Sequence, residues 1–162
     1  MQEKAGGMLR WGIPYYRLPE KDLDAEIQSI LDLGVSIFFN QKLGRDFTLE
    51  SLKRDGFEAV FLGLGAQNSA AMGVKGEDTP GVVSGIDILG RLARGEKPHL
   101  GHRVIVIGGG NTAMDAARSA VRLGVTEVIV AYRRTRKEMP AEDNEIEEAI
   151  EEGIEMKFLV AP

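Results

Sequence analysis

The stretch Arg103-Val-Ile-Val-Ile-Gly108-Gly109-Gly110-Asn111-Thr112-Ala113-Met114-Asp115 decides the fold. Four β-branched apolar residues, Val104 to Ile107, run without a polar break into three glycines, and a helix-forming segment follows at once. The pattern Gly108-x-Gly110-x-x-Ala113 is the form of a dinucleotide-binding turn, with Ala at the third small position. Gly108 permits the tight turn, and Gly110 lets backbone N–H groups approach a pyrophosphate with no Cβ in the way. Ala113 lets the helix sit close on its strand, and the helix N-terminus adds partial positive charge for the phosphates. Taken alone the match is weak, because a tight strand–helix turn without a ligand would satisfy it. The apolar strand before it and the helix after it supply the context the motif requires.

Working outward, a second strand over residues 127–132 runs into Arg133-Arg134-Thr135-Arg136-Lys137. An acidic residue normally sits at the end of that strand to bind the adenosine ribose of NAD. An acidic group would repel a 2′-phosphate, whereas guanidinium groups pair with one bidentately. Arg133 and Arg134 therefore favour NADP(H) over NAD(H). Arg136 and Lys137, next to the acidic helix over residues 141–152, are also explained by charge balance with it. That helix reads as a solvated acidic face with Ile146, Ala149 and Ile150 turned inward. Asp115 could orient a ligand amide or pair with Arg118, and it is not assigned as catalytic.

The totals agree with one ordinary domain or two incomplete ones in 162 residues. No apolar run is long enough to span a membrane. A net charge of −5 argues against nucleic acid as the main partner. Zero cysteine excludes a disulfide, a thiolate metal or iron–sulfur site and a redox dithiol within this segment. His99 and His102 lie in a Pro/Gly-rich connector and lack further ligands at metal spacing, so no metal site is expected. No signal peptide is seen in the first residues, which makes a cytoplasmic location the expectation.

Residues 1–19 read as irregular, punctuated by Gly6-Gly7, Gly12-Ile13-Pro14 and Leu18-Pro19, yet apolar enough to pack on a core or line a ligand; composition favours the core. Leu23, Ile27, Ile30 and Leu31 share one face of a helix over 21–33, closed by Gly34. Residues 35–39 read as a strand, 48–54 as a short helix, and 58–66 as a buried strand. A loop over 67–83 follows, then a helix capped by Ser84 over 85–94, with Ile88, Leu89 and Leu92 inward. The connector 95–101 marks a domain boundary, so the expected domains are 1–100 and 101–162. Strand 103–107, helix 111–123, strand 127–132, basic loop 133–140, helix 141–152 and strand 154–160 then make a βαβαβ run, hence an α/β fold with a parallel sheet.

With these residues in view the chain resembles the small (beta) subunit of NADPH-dependent glutamate synthase and its relatives. Those include the flavin and NADPH domains of dihydropyrimidine dehydrogenase and the larger subunit of the ferredoxin–NADP transhydrogenase. Gly6-Gly7-Met8-Leu9, Gly12-Ile13-Pro14, Arg17-Leu18-Pro19, Gly34-Val35, Phe61-Leu62-Gly63-Leu64-Gly65, Gly108 through Asp115, Tyr132-Arg133-Arg134 and Met139-Pro140 carry the resemblance. It implies a truncated flavoprotein of two Rossmann-like dinucleotide-binding domains (FAD/NAD(P)-binding fold), the NADPH domain inserted in the FAD domain. It puts Gly7, Met8, Arg17 and Leu43 at FAD-contact positions and Gly63 and Gly65 at the strand end facing FAD. It puts Gly109, Gly110, Asn111 and Thr112 at the NADPH pyrophosphate and Arg133 and Arg134 at the 2′-phosphate. Under it, residues 6–17 line the flavin, against the reading from composition.

The resemblance also implies a first Gly-x-Gly-x-x-Gly turn, further strands of the second domain and a returning FAD segment, none of which is in these residues. The expectation is thus a central piece of a longer oxidoreductase, inactive alone. In the parent, NADPH reduces FAD and electrons pass to an iron–sulfur domain or a large catalytic subunit, with no nucleic-acid or membrane partner. No side chain here is expected to act as an acid or base. Two rivals remain: a flavoprotein of the thioredoxin-reductase type, against which zero cysteine weighs, and a non-catalytic NADP(H)-binding or interaction domain.

Overall fold

The computed structural model describes residues 3–66 and 68–162. The first two residues of the segment read as irregular, and Gln67 at the head of the loop over 67–83, lie outside the described residues. In chain order the elements are α1 (Gly7–Trp11), α2 (Glu20–Leu31), α3 (Leu49–Arg54), α4 (Gly85–Ala93), β1 (Arg103–Ile107), α5 (Asn111–Arg122), β2 (Glu127–Tyr132), a 3₁₀ turn (Arg136–Glu138), α6 (Asp143–Glu151) and β3 (Glu155–Phe158).

The three strands form one parallel sheet in the order β1-β2-β3. Arg103 pairs with Glu127 and Ile107 with Ala131; Ile129 pairs with Glu155 and Tyr132 with Phe158. Parallel neighbours need a crossover, and α5 and α6 supply the two. The alternation read from residue 103 onward is therefore the observed one, with ends shifted by one or two residues. Helix α5 packs closely because its inward positions are small. Ala117 and Ala120 flank Met114 against Val128 and Val130 of β2, and Ile146 and Ala149 of α6 close the cluster. Helix α4 lies against α5, and α1 lies against α4 and α2. The β1 side chains on the other face stay in the open, with Ile105 57% exposed.

Helix starts follow the local chemistry. Thr48 Oγ1 accepts the Ser51 N–H at 3.1 Å, and Ser84 Oγ accepts the Asp87 N–H at 3.3 Å, each relieving an N–H that a first turn leaves without a partner. Among the described residues no helix is long and apolar enough to cross a membrane.

Four expectations need correction. Residues 7–11 are helical rather than irregular, with the Gly12 N–H donating to Met8 O at 2.9 Å. Residues 35–39 and 58–66 form no strand and belong to no sheet, and Phe38 and Phe61 are 79% and 94% exposed. A strand exists only through a neighbour, and no described strand pairs with either segment, so their apolar side chains have nothing to cover them. In α2 only Leu23 is buried, while Ile30 is exposed. In α6 Ile146 and Ala149 turn inward as expected, but Ile150 is 44% exposed.

This last difference gives a test. Ile146→Ala should destabilise the protein by about 2–5 kcal/mol in urea unfolding, the cost of a large-to-small change in a packed core. Ile150→Ala should stay within about 0.5 kcal/mol, as surface changes do.

Candidate functional site at the glycine turn

The turn after β1 has the geometry its sequence calls for. Gly108 sits at φ +142°, a conformation side chains rarely adopt, and its N–H donates to Ala131 O at 3.1 Å, tying the turn to β2. Gly110 stands at the N-terminus of α5 in extended conformation, and no side chain caps that helix. A Cβ at Gly110 would find only Pro140 Cγ, at 3.9 Å, so the approach to the first turn of α5 is open. A Cβ at Gly108 would stand 3.4 Å from Ala113, which explains the small residue there.

Gly109 has a role that the motif does not announce. A Cβ on it would lie 2.6 Å from two ring carbons of Tyr132, so the end of β2 rests directly on the middle glycine. The Tyr132 hydroxyl donates to Glu138 O at 2.7 Å, anchoring the ring from its far side. The signal was present as an aromatic residue ending the second strand, but only the packing reveals what it faces.

The arginine loop is stitched to the same turn. The Ala141 N–H donates to Gly109 O at 3.1 Å, and the Glu142 N–H donates to Asn111 Oδ1 at 3.0 Å. Within the loop the Thr135 N–H donates to Glu138 Oε2 at 3.1 Å, and Arg136 pairs with Glu147 at 3.1 Å. Arg133 and Arg134 are exposed, and neither side chain makes an ion pair or hydrogen bond among the described residues. The charge-balance explanation thus holds for Arg136. For Arg133 and Arg134 it finds no partner.

The N-terminal segment reaches this region through Arg17. Its Nη1 donates to both Asp115 oxygens, at 2.9 and 2.8 Å, and its Nε lies 2.7 Å from Glu145 Oε1. Asp115 therefore pairs with Arg17 and not with Arg118. Arg118 turns instead to Glu145 at 2.6 Å, Glu148 at 2.6 Å and Glu152 at 2.9 Å. The acidic helix is not simply a solvated face: Glu145 is buried, and two further glutamates are engaged with Arg118.

Burial pushes the Asp115 carboxyl up from its ordinary value, and the Arg17 guanidinium pulls it only partly back. Burial acts on Glu152 in the same sense, but hydrogen bonds from Arg122 and Arg118 outweigh it and hold that carboxyl below its ordinary value. The Tyr16 ring packs against both arginines, its centroid 4.9 Å from the Arg118 guanidinium and 3.8 Å from that of Arg122. Its phenol is raised, chiefly by burial.

A cavity of about 320 Å³ opens where these parts meet, lined by Met8, Arg17, Ile86, Asn111, Thr112 and Asp115 among others. It brings together two of the residues expected at the flavin and two expected at the nucleotide. Gly7 stands beside it in sequence at φ +51°, with open space where a Cβ would be. Leu43 forms an isolated bridge with Phe47, while Gly63 and Gly65 lie on the exposed segment 58–66; none of the three lines this cavity. No group of three or more metal-ligating side chains occurs among the described residues.

A parallel sheet whose first strand turns through glycines into a helix, with a second segment meeting that turn, defines a domain of the FAD/NAD(P)-binding fold. The chain belongs to the pyridine nucleotide-disulphide oxidoreductase family, whose profile matches residues 5–159. It is 48% identical to the beta subunit of an NADP(+)-dependent formate dehydrogenase of Moorella thermoacetica, over 98% of this chain and 23% of that one. It is 46% identical to the beta subunit of an NADPH-Fe(3+) oxidoreductase of Geobacter sulfurreducens, over 97% and 24%. The small chain of the NADPH glutamate synthase of Escherichia coli is 36% identical, over 97% and 35%, which bears out the resemblance read from the motifs. The chain thus spans about a quarter to a third of these relatives. Among solved structures FprA of Mycobacterium tuberculosis matches with a TM-score of 0.72 at 22% identity, over 90% of this chain and 38% of that one, a likeness of fold.

The contact between Gly109 and Tyr132 yields a prediction. Gly109→Ala should destabilise the protein by about 1–3 kcal/mol through overpacking. Adding Tyr132→Leu to that variant should recover part of the loss in urea unfolding, although Tyr132→Leu alone is itself destabilising.

Proposed function

We propose that this chain is the part of an NADPH-dependent flavoprotein in which the nucleotide site and the flavin site face each other. The observation that carries the reading is the single cavity lined by Met8 and Arg17 on one side and Asn111 and Thr112 on the other. Residues 1–100 belong to the flavin side and 101–162 to the NADPH side. Hydride transfer between the nicotinamide and the flavin is the chemistry the two cofactors supply when bound.

The chain's residues bind and orient. N–H groups at the uncapped start of α5 serve the pyrophosphate of NADPH, with Gly110 keeping that approach clear while Gly108 makes room for Ala113 and Gly109 for Tyr132, which hold the turn in shape. Arg133 and Arg134 take the 2′-phosphate; their exposure and lack of described partners fit that role. Gly7, Met8 and Arg17 address the flavin, and Leu43, Gly63 and Gly65 join them on the same cofactor. No side chain is assigned as an acid or base. Because the chain has no cysteine, iron–sulfur centres that take electrons onward belong to another segment or subunit. The names of the relatives, beta subunits and a small chain, support a larger assembly as the recipient.

Anaerobic addition of NADPH to the full-length protein should bleach its visible flavin band, and NADH should do so far more slowly. Equal rates with both would sink the 2′-phosphate assignment. A colourless protein that binds NADP(H) would instead support a sensing role. Arg134→Ala should raise the KM for NADPH by roughly tenfold or more while leaving that for NADH in place, since a charge-assisted hydrogen bond is worth about 1.5–3 kcal/mol.

A further inference from the structure

Arg17 is held from outside its own segment. Residues 14–18 form a turn in which the N–H groups of Arg17 and Leu18 donate to Pro14 O at 3.0 and 3.1 Å, so the local backbone fixes the loop but not the guanidinium. The guanidinium is fixed by Asp115 through Nη1 and by Glu145 through Nε. These two carboxylates stand on α5 and α6 and are only 3% and 5% exposed. Asp115 lies four residues after Asn111, one helical turn beyond the start of α5, and lines the same cavity as Asn111 and Thr112. Arg118 takes the other oxygen of Glu145 at 2.6 Å, so Glu145 has little freedom to move. Two edges of the planar fork are thus clamped, and Arg17 Nη2 has no hydrogen-bond partner among the described residues.

We propose that Asp115, assisted by Glu145, is a positioning residue that locks the Arg17 guanidinium in the cleft and so keeps the segment carrying Met8 and Arg17 in register with the nucleotide turn. The inference rests on the flavin–NADPH reading above and assigns neither carboxylate to contact with the nucleotide. A buried carboxylate needs its cation, and the cation here comes from the opposite side of the cleft, so each side orients the other. Electron transfer between the cofactors depends on that register.

The test is rapid-mixing reduction of the full-length flavoprotein by NADPH. Asp115→Asn keeps the side-chain size and removes the charge. Its flavin content and NADP⁺ affinity should stay close to those of the unaltered protein, while flavin reduction at saturating NADPH slows roughly 10- to 100-fold, the effect of small misplacements on a reaction that needs orientation. Glu145→Gln should change the same quantity in the same direction by less. Arg17→Met combined with Asp115→Asn should slow reduction no more than Arg17→Met alone, because the effect of Asp115 passes through Arg17.

Wild-type reduction rates in Asp115→Asn would overturn the assignment, as would losses that multiply in the double variant. A fall in NADP⁺ affinity with an unchanged limiting rate would also overturn it, since Asp115 would then act on the nucleotide. Loss of flavin from Asp115→Asn but not from Arg17→Met would overturn it by showing an effect that bypasses Arg17. If NADPH fails to reduce the unaltered protein, the functional reading and this inference fall together. If it succeeds and Asp115→Asn is reduced equally fast, only this inference falls.

Discussion

A guanidinium taken out of water is costly unless carboxylates surround it, and the arrangement of α5, α6 and the N-terminal segment answers that constraint. Arg118 is only 4% exposed, and three glutamates from α6 and the residue after it converge on it. Glu145, shared between Arg118 and Arg17, extends the cluster to Asp115 and across to the N-terminal segment. Removing one member would strand a buried charge, which costs far more than the intact pair contributes. The cluster therefore matters for where the elements sit. Hydrophobic contact alone would let α6 slide along α5; opposed charges at set heights do not.

The glycine turn depends on this placement. Its strand and helix are local, but the walls around it come from elsewhere: Tyr132 below Gly109, the strap at Ala141 and Glu142 beside it, and the segment of Met8 and Arg17 opposite. A turn of the same sequence on an isolated strand–helix unit would have none of them. The glycine turn itself is thus a local property of the backbone from Gly108 to Ala113, whereas the cleft is a property of three regions of the chain held together by ion pairs and one aromatic contact.

The sequence was most legible where each element finds its partner nearby. Strands at 103–107 and 127–132 and the helix between them follow directly from apolar runs, glycine punctuation and alternation. The same apolar pattern at 35–39 and 58–66 leads to segments outside any sheet, because hydrophobicity marks the capacity to pair and not the presence of a neighbour. Asp115 illustrates a second limit. Arg118 is close to it in sequence and on a plausible helical neighbour position, but the actual partner, Arg17, lies 98 residues away. Periodicity within one helix cannot reveal a charge arriving from another segment. Met8 and Arg17, for which composition favoured plain core packing, line the cavity beside Asn111 and Thr112.

The strap from Arg133 to Glu142 also shapes how this region can vary. It leaves β2 at Tyr132, whose ring is pressed on Gly109, and returns to the same turn through Ala141 and Glu142, with Leu159 and Val160 donating back to Arg134 O and Tyr132 O. Both ends are pinned to one short stretch of backbone, so the strap is a closed circuit of set length. An inserted or deleted residue would break a tie at one end and swing Arg133 and Arg134 away together. Exchange of side chains at those two positions breaks none of the ties. The cationic character of this rim is therefore open to change by substitution, while the length of the segment carrying it is held fixed.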